Sequence, residues 1–155
     1  MTLQLNQREL IIDLATGEYQ INPIRSRING KRIIGPVDYG WARYSAARHK
    51  QDEEEQPADE NTPADVFTFG GGPLAGSRIP GTRRLVFCGY SPAWEGFYIS
   101  SLGGAAYIMH RVGVDFICLR GQASQDSVLI LNHKQGEITV RLEPVNPVLF
   151  SINEI

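Results

Sequence analysis

Residues 100–121 read SSLGGAAYIMHRVGVDFICLRG, and they combine a strand end, a glycine pair, a helix and a second strand. The apolar residues of the middle part are spaced i, i+3, i+4 and i+7, which predicts a short amphipathic helix packed on a sheet: Ala105, Ile108, Met109 and Val112. Gly113 is placed to end this helix, and the apolar run at 115–119 predicts the strand that follows. This succession indicates an α+β domain.

Strand patterns dominate on both sides of this stretch. Near the N-terminus, predicted strands at 10–14 and 19–22 flank a short loop in which Gly17 can supply the positive φ of a hairpin. Residues 28–39 are predicted as loop with a short strand, and residues 41–50 as a short helix. Further strands are predicted at 66–69, 84–88, 97–100, 128–132 and 137–142, with turns at 89–92 and 134–136. We therefore expect a β-rich α+β fold, a single domain of two sheets with few short helices.

The size and composition of the chain are those of one globular domain. It has 155 residues, of which 42% are hydrophobic and 21% charged, so we expect one domain over residues 1–155 and no multidomain enzyme. Because the chain has no secretory segment, no apolar run near 20 residues and no basic tail, we expect a cytoplasmic protein without membrane or nucleic-acid partners.

Charge is distributed unevenly along the chain. Residues 51–64 (QDEEEQPADENTPA) have no apolar side chain larger than alanine, so they are predicted to form a mobile acidic loop insertion. Seven of the 17 acidic residues lie at 52–65, which leaves 10 acidic against 15 basic residues elsewhere, and 12 of those 15 are arginine. An arginine-rich body favours phosphate or carboxylate partners, although a solvated basic surface explains the same charge.

The two cysteines, Cys88 and Cys118, both lie in apolar stretches, 30 positions apart. We expect buried, unreactive thiols, with a cross-strand disulfide as the alternative. The three histidines show no metal-ligand spacing. The sequence therefore predicts no metal site and no iron–sulfur ligands in this chain.

An anion site is predicted where the glycine pair meets the helix. Ser101, Gly103 and Gly104 connect a strand to a helix N-terminus, where amide groups and the helix dipole favour anions. Arg83 and Arg84 open the preceding strand and add two guanidinium groups. A turn that uses glycine only for its geometry, with one arginine in solvent and the other beside a carboxylate, explains the same residues.

Catalytic motifs are missing from the sequence. The glycine-rich residues 71–76 lack the Lys-Ser/Thr of a nucleotide P-loop, and no stretch matches the dinucleotide fingerprint. No serine lies in a Gly-x-Ser-x-Gly setting, and no histidine has a recognisable spacing to a nucleophile. Binding is thus indicated without catalysis, and no catalytic residue is assigned.

In their order, these residues resemble the N-terminal domain of the tungsten-containing aldehyde ferredoxin oxidoreductases. Residues 12–18 (Ile-Asp-Leu-Ala-Thr-Gly-Glu) are similar to the Val-Asn-Leu-Ser-Thr-Gly-Glu with which that family begins. Residues 72–76 (Gly-Pro-Leu-Ala-Gly) are similar to its Gly-Pro-Leu-Thr-Gly. The remaining matches follow in order over nearly the whole chain: Pro80, Arg84, Ser91-Pro92, Gly96-Phe97, Gly103-Gly104, Gly113, Asp115 and Gly121.

The resemblance implies a β-rich base domain on which a tungsten (or molybdenum) bis-molybdopterin rests. Arg84 matches the arginine that contacts the cofactor in the family, and Gly103 matches the glycine whose backbone approaches it. Ser101 replaces the family's asparagine, and Thr82-Arg83 replaces a glycine pair. The cluster cysteines and second pterin segment of the family are not in this sequence, so the resemblance implies a partner, either further domains or a second subunit, that carries the iron–sulfur cluster and serves ferredoxin.

Two hypotheses about function follow. In the first, the chain is the cofactor-base domain or subunit of an enzyme that oxidises aldehydes to carboxylic acids and is inactive alone. In the second, it is a non-catalytic binding or assembly subunit that keeps the fold without the cofactor, as the substitutions at 82–83 and 101 suggest.

Overall fold

The computed structural model describes residues 7–24, 27–28, 30–53 and 66–145, with the side chains of 50–53 left aside. The described residues form a β-rich fold with two helices. In chain order, the elements are β1 (Gln7–Asp13), β2 (Tyr19–Ile24), β3 (Arg27–Ile28), β4 (Lys31–Arg32), α1 (Pro36–Glu53), β5 (Val66–Gly70), β6 (Leu85–Ser91), β7 (Gly96–Leu102), α2 (Ala106–Val112), β8 (Phe116–Arg120), β9 (Ser127–Lys134) and β10 (Glu137–Pro144).

A six-stranded sheet in the order β2-β1-β8-β5-β6-β7 is the centre of the molecule. Strands β1 and β8 are parallel, and the other neighbours in this sheet are antiparallel. Two further pairs, β9 with β10 and β3 with β4, form two-stranded ribbons. The predicted α+β class is therefore confirmed, with three sheets in the described residues where two were expected.

The N-terminal hairpin forms as its sequence predicts. Gly17 has a φ of 74°, and its amide donates to the Asp13 carbonyl over 2.8 Å. The Asp13 carboxylate also accepts hydrogen bonds from the Ala15 and Thr16 amides. Local turn chemistry thus fixes the register of β1 against β2.

Helix α1 is longer than the sequence predicts at both ends. Proline suits the first helical position because its fixed φ is already helical, and Pro36 opens α1. The Asp38 carboxylate accepts from the Ile34 and Gly35 amides over 3.3 Å each. The helix continues to Glu53, so the first three residues of the predicted acidic loop are helical, and residues 54–64 lie outside the described residues.

The turn predicted at 89–92 is wrong. Strand β6 continues through Gly89 to Ser91, and the turn lies at 92–95, where Glu95 has a φ of 49°. A Cβ at Gly89 would lie 2.8 Å from the Phe67 ring. The glycine therefore makes room for an aromatic ring on the neighbouring strand rather than reversing the chain.

Helix α1 covers one face of the central sheet. The ring of Tyr39 stacks on that of Phe116 with centroids 4.7 Å apart, and both residues are fully buried. The Tyr39 hydroxyl donates to the buried Glu9 carboxylate over 2.8 Å, which also pairs with Arg43. A buried charge is tolerated here because it has both an ion-pair partner and a hydrogen bond.

Helix α2 and the ribbon of β9 and β10 cover part of the opposite face. The buried residues of this second cluster come from β1, β8, α2, the α2–β8 connection and the ribbon: Leu10, Ile12, Met109, Val114, Ile117 and Ile138. The predicted apolar face of α2 is only partly right. Met109 and Val112 pack on this cluster, but Ala105 and Ile108 are exposed and Ala106 is buried instead. Gly113 ends α2 as predicted, in the left-handed conformation with a φ of 91°.

Cys88 and Cys118 flank the buried Thr68 on the two strands that neighbour β5. They are thus two strand spacings, about 9–10 Å, apart, beyond the Cα separation that a disulfide spans. Both thiols are free and buried, which confirms the predicted buried thiols and shows the disulfide alternative to be wrong. Burial raises the pKa of the Cys88 thiol to about 11 and also raises that of Cys118.

Candidate functional site

The predicted binding residues lie together at one end of the central sheet. Gly70 at the end of β5 pairs with Val86 of β6 and with Phe116 of β8. Val86 in turn pairs with Ser101 of β7. The loop after β5, the entry to β6 and the turn after β7 are therefore neighbours in space, although the sequence separates them by up to thirty residues.

Two arginines enter β6 at this end. Arg83 and Arg84 are both exposed. The Arg83 carbonyl accepts a hydrogen bond from the Ala106 amide over 3.1 Å, and its guanidinium carbon lies 4.8 Å from the centre of the Tyr107 ring. Backbone and side chain of Arg83 are thus both held by the start of α2.

Arg84 is in a different situation. Among the residues that the structure describes, it makes no hydrogen bond, ion pair or ring contact. An exposed guanidinium without a carboxylate partner is available for an oxyanion, to which it can donate two parallel hydrogen bonds. The alternative in which Arg84 pairs with a neighbouring carboxylate is therefore not what the described part of the chain shows.

The glycine pair after β7 leaves its backbone open. Gly103 has a φ of 54°, and a Cβ built on Gly103 or on Gly104 would meet no atom within 4 Å. Ser101 lies two residues before the pair and is exposed. Peptide groups that no side chain shields can be approached closely by a ligand, which is a common use of glycine at binding sites.

The other glycines of this region have a different role. A Cβ on Gly70 would lie 2.5 Å from the Asp115 carbonyl, and one on Gly71 would lie 3.0 Å from the Ala106 side chain. One on Gly76 would lie 2.5 Å from the His110 ring. In residues 70–76, these glycines allow the loop to pack on α2 and β8, and Gly72 alone faces open space.

The predicted contribution of the helix N-terminus needs correction. Helix α2 begins at Ala106 rather than at the glycine pair, and Ala105 precedes it without a side-chain cap. The Ala106 amide is used by the Arg83 carbonyl, and the Ile108 and Met109 amides both donate to Ala105. In a helix of seven residues the dipole is also small. The predicted anion site would therefore depend on guanidinium groups and open glycine backbone instead.

Tyr107 and Arg111 belong to the same cluster, although the sequence reasoning did not assign them. The Arg111 guanidinium carbon lies 6.0 Å from the Tyr107 ring centre, so this ring contacts two arginines. Tyr107 and Arg111 are spaced i, i+4, a separation at which side chains meet on a helix. That spacing, read beside Arg83-Arg84, is the signal that could have identified them.

In the described ranges, no group of three or more histidine, cysteine, aspartate or glutamate side chains could hold a metal ion. Neither helix of the described chain is long and apolar enough to cross a membrane.

One end of the central sheet in this β-rich domain thus presents arginine side chains and open glycine backbone. The family described as "Aldehyde ferredoxin oxidoreductase, N-terminal domain" matches residues 9–148. The chain belongs to this family. The resemblance found in the sequence is thereby confirmed.

Two curated proteins are similar to part of this chain, and the first of them is itself a ferredoxin oxidoreductase. The glyceraldehyde-3-phosphate:ferredoxin oxidoreductase of Pyrococcus furiosus is 42% identical over 82 residues, which cover 53% of this chain and 13% of the relative. An uncharacterized protein of Methanocaldococcus jannaschii is 33% identical over 90 residues, 58% of this chain and 14% of that protein. The chain thus spans a small fraction of the length of the relatives that it matches.

A solved structure shares the fold. In the active-site complex of benzoyl coenzyme A reductase, one chain superposes with a TM-score of 0.62 at 19% sequence identity. The match covers 90% of this chain and 20% of that one. At this identity, the likeness shows the fold alone.

Proposed function

We propose that this chain is the cofactor base of an aldehyde ferredoxin oxidoreductase-like enzyme and binds a tungsten (or molybdenum) bis-molybdopterin. The observation that carries the proposal is an exposed arginine next to open glycine backbone. Arg84 has no partner in the described part of the chain and precedes Leu85, which pairs with Leu102 just before Gly103 and Gly104. Family membership supports the choice of a phosphate-bearing metallopterin over another anion.

The described residues fit the anionic part of such a group. Arg84 would bind a phosphate through two parallel hydrogen bonds. Gly103, Gly104 and Ser101 would let the flat pterin lie against the turn. Arg83, held on Tyr107, would add positive charge without losing side-chain freedom on binding, because its position is already fixed.

The proposal assigns binding and orientation to this chain. When bound, the metallopterin supplies the two-electron oxidation of an aldehyde to a carboxylic acid. The iron–sulfur cluster and the contact with ferredoxin belong to the remaining part of the enzyme, in further domains or in a second subunit, and we place the assembly in the cytoplasm.

The test is the cofactor content of Arg84→Ala, purified without oxygen from the native host together with its partners. Tungsten and molybdenum are measured by elemental analysis, and the released pterin by its fluorescence after oxidation. A charged hydrogen bond contributes about 1.5–3 kcal/mol, so we expect at least a tenfold loss of occupancy under limiting cofactor. Arg84→Lys keeps the charge but loses the second hydrogen bond, so its cofactor content should lie between that of the wild type and that of Arg84→Ala.

Arg32→Ala is the matched control, since Arg32 is an exposed arginine on the short strand β4. It should leave metal and pterin content unchanged. Equal content in wild type and Arg84→Ala would contradict the proposed role of Arg84.

The second candidate is a binding or assembly subunit without cofactor. Thr82 and Arg83 stand where the resemblance places a glycine pair, so two side chains are present just before Arg84 where the family has none. Native protein that carries neither metal nor pterin, in complexes that still form, would favour this candidate over the first.

A further inference from the structure

Strand β7 is the outer strand of the six-stranded sheet. It pairs with β6 on one side over all seven of its residues, and no described strand pairs with its other side. Its last five residues are all exposed, and they include apolar side chains on both faces of the sheet: Tyr98, Ile99 and Leu102.

Natural edge strands are usually protected by charge, proline, a bulge or a covering segment. Within Gly96–Leu102 there is no charged residue and no proline, and each residue from 96 to 102 has a paired partner in β6 without a bulge. An edge of this kind is a template for another strand.

An apolar groove lies beside this edge. It has a volume of about 370 Å³ and is lined by Phe67, Phe87, Tyr98, Ser100 and Leu102 among others. Phe67 is 44% exposed and Leu102 69% exposed. Helix α2 and the ribbon cover this face of the sheet at β1 and β8, but they leave the groove at β6 and β7 open.

A strand added to β7 would satisfy both features. Its backbone would pair with the outer edge of β7, and every second side chain would enter the groove, as in recognition by β-strand addition. The occupant is then a polypeptide strand with aliphatic or aromatic residues at alternate positions.

We infer that β7 and its groove dock a strand from the part of the oxidoreductase polypeptide that this chain does not match. The relatives supply the argument for this occupant. The chain covers 13% and 14% of the curated relatives and 20% of the solved chain that shares its fold, so most of each protein is available to cover an open face. This inference rests on family membership. It does not require the anion site, although Ser101 of β7 belongs to that site, so the substitutions below are made at positions 98 and 99.

The first test is a cross-link from β7 in the native assembly. A photoreactive phenylalanine analogue is placed at position 98, the protein is irradiated in its own host, and the linked peptides are sequenced. We expect links to one strand of a polypeptide that matches the remaining part of this family. Links to a second copy of this chain, to an unrelated protein, or to nothing would overturn the inference.

Hydrogen exchange gives a second readout that needs no substitution. Amides on the outer side of β7 should exchange at least tenfold more slowly in the assembly than in the isolated chain, because they gain partners. Unchanged exchange along Gly96–Leu102 would overturn the inference even where the two polypeptides bind each other.

Introduction of a charge on the exposed edge strand is the third readout. Ile99→Lys should reduce recovery of the partner polypeptide at least tenfold, whereas Ile34→Lys should leave it unchanged. The two residues are matched, since Ile99 is 43% and Ile34 46% exposed. Neither contacts the anion site, so a loss of assembly with normal pterin content separates this inference from the proposed function.

Discussion

Strands β8 and β7 belong to the same sheet and each contain four apolar side chains, yet their burial is opposite. Phe116, Ile117 and Cys118 of β8 are fully buried, whereas the last five residues of β7 are exposed. Strand β8 has a neighbour on each side and a layer on each face, while β7 has one neighbouring strand among the described residues and lines an open groove. A strand pattern therefore reports the local conformation, and the neighbours decide whether that strand is core or contact surface.

The largest expected effect comes from removing a large buried side chain from β8. Phe116→Ala removes a ring that stacks on Tyr39 at 4.7 Å and should lower the free energy of unfolding by about 3–5 kcal/mol. Tyr98→Ala, the matched aromatic change on β7, should cost less than about 1 kcal/mol. Urea unfolding measures both, and equal losses would show that β7 is as buried as β8.

A smaller loss of stability should distinguish glycines that are packed against other atoms from glycines that face open space. Gly70→Ala forces a Cβ to 2.5 Å from the Asp115 backbone carbonyl, so we expect a loss of about 1–3 kcal/mol. Gly104→Ala meets open space and should stay within about 0.5 kcal/mol. Thermal unfolding of the two variants tests this, and a comparable fall in Tm for both would contradict the assigned roles.

The smallest effect is a pH dependence from the buried thiol of Cys88 on β6, one of the two strands between β8 and β7. Burial raises the pKa of Cys88 from 9.0 to about 11, so the folded thiol stays protonated where the unfolded thiol ionises. The unfolded state then binds fewer protons, and stability should fall as the pH rises from 9 to 11. Urea unfolding at pH 8 and 10.5 measures the fall.

Cys88→Ala is the control for this pH dependence, because its loss of stability over the same interval should be smaller than that of the wild type. An identical slope in both proteins would assign the effect to other groups, among them Tyr39, whose pKa burial also raises.

Local chemistry explains which parts of the fold the sequence predicts. The hairpin around Gly17 and the helix end at Gly113 depend on neighbouring residues, and both are found as predicted. The turn predicted at Gly89 is wrong because this glycine makes room for the ring of Phe67, which lies twenty-two residues away on another strand. The contacts among Glu9, Tyr39 and Arg43 could not be predicted either, since sequence spacing does not show which polar residues will meet in the folded chain.

In the candidate site, too, some residues can be proposed from the sequence and others cannot. Arg84 and the glycine pair could be proposed from the residues alone, because guanidinium groups and glycine backbone favour anions by their own chemistry. That residues 70–76 mainly serve packing, and that Arg83 lies on Tyr107, depends on the position of α2. The acidic loop at 54–64 lies outside the described residues and stays a prediction, as does the single domain over 1–155.

The parallel pairing of β1 with β8 also sets an order of folding. Glu9 lies opposite Phe116, so this pairing joins residues that are more than a hundred positions apart. Contacts of such long separation form slowly, whereas local hairpins such as β6 with β7 close early. Strand β1 therefore cannot complete its pairing until the ribosome has made β8, and until then the apolar residues of β1 that become core lack that neighbour.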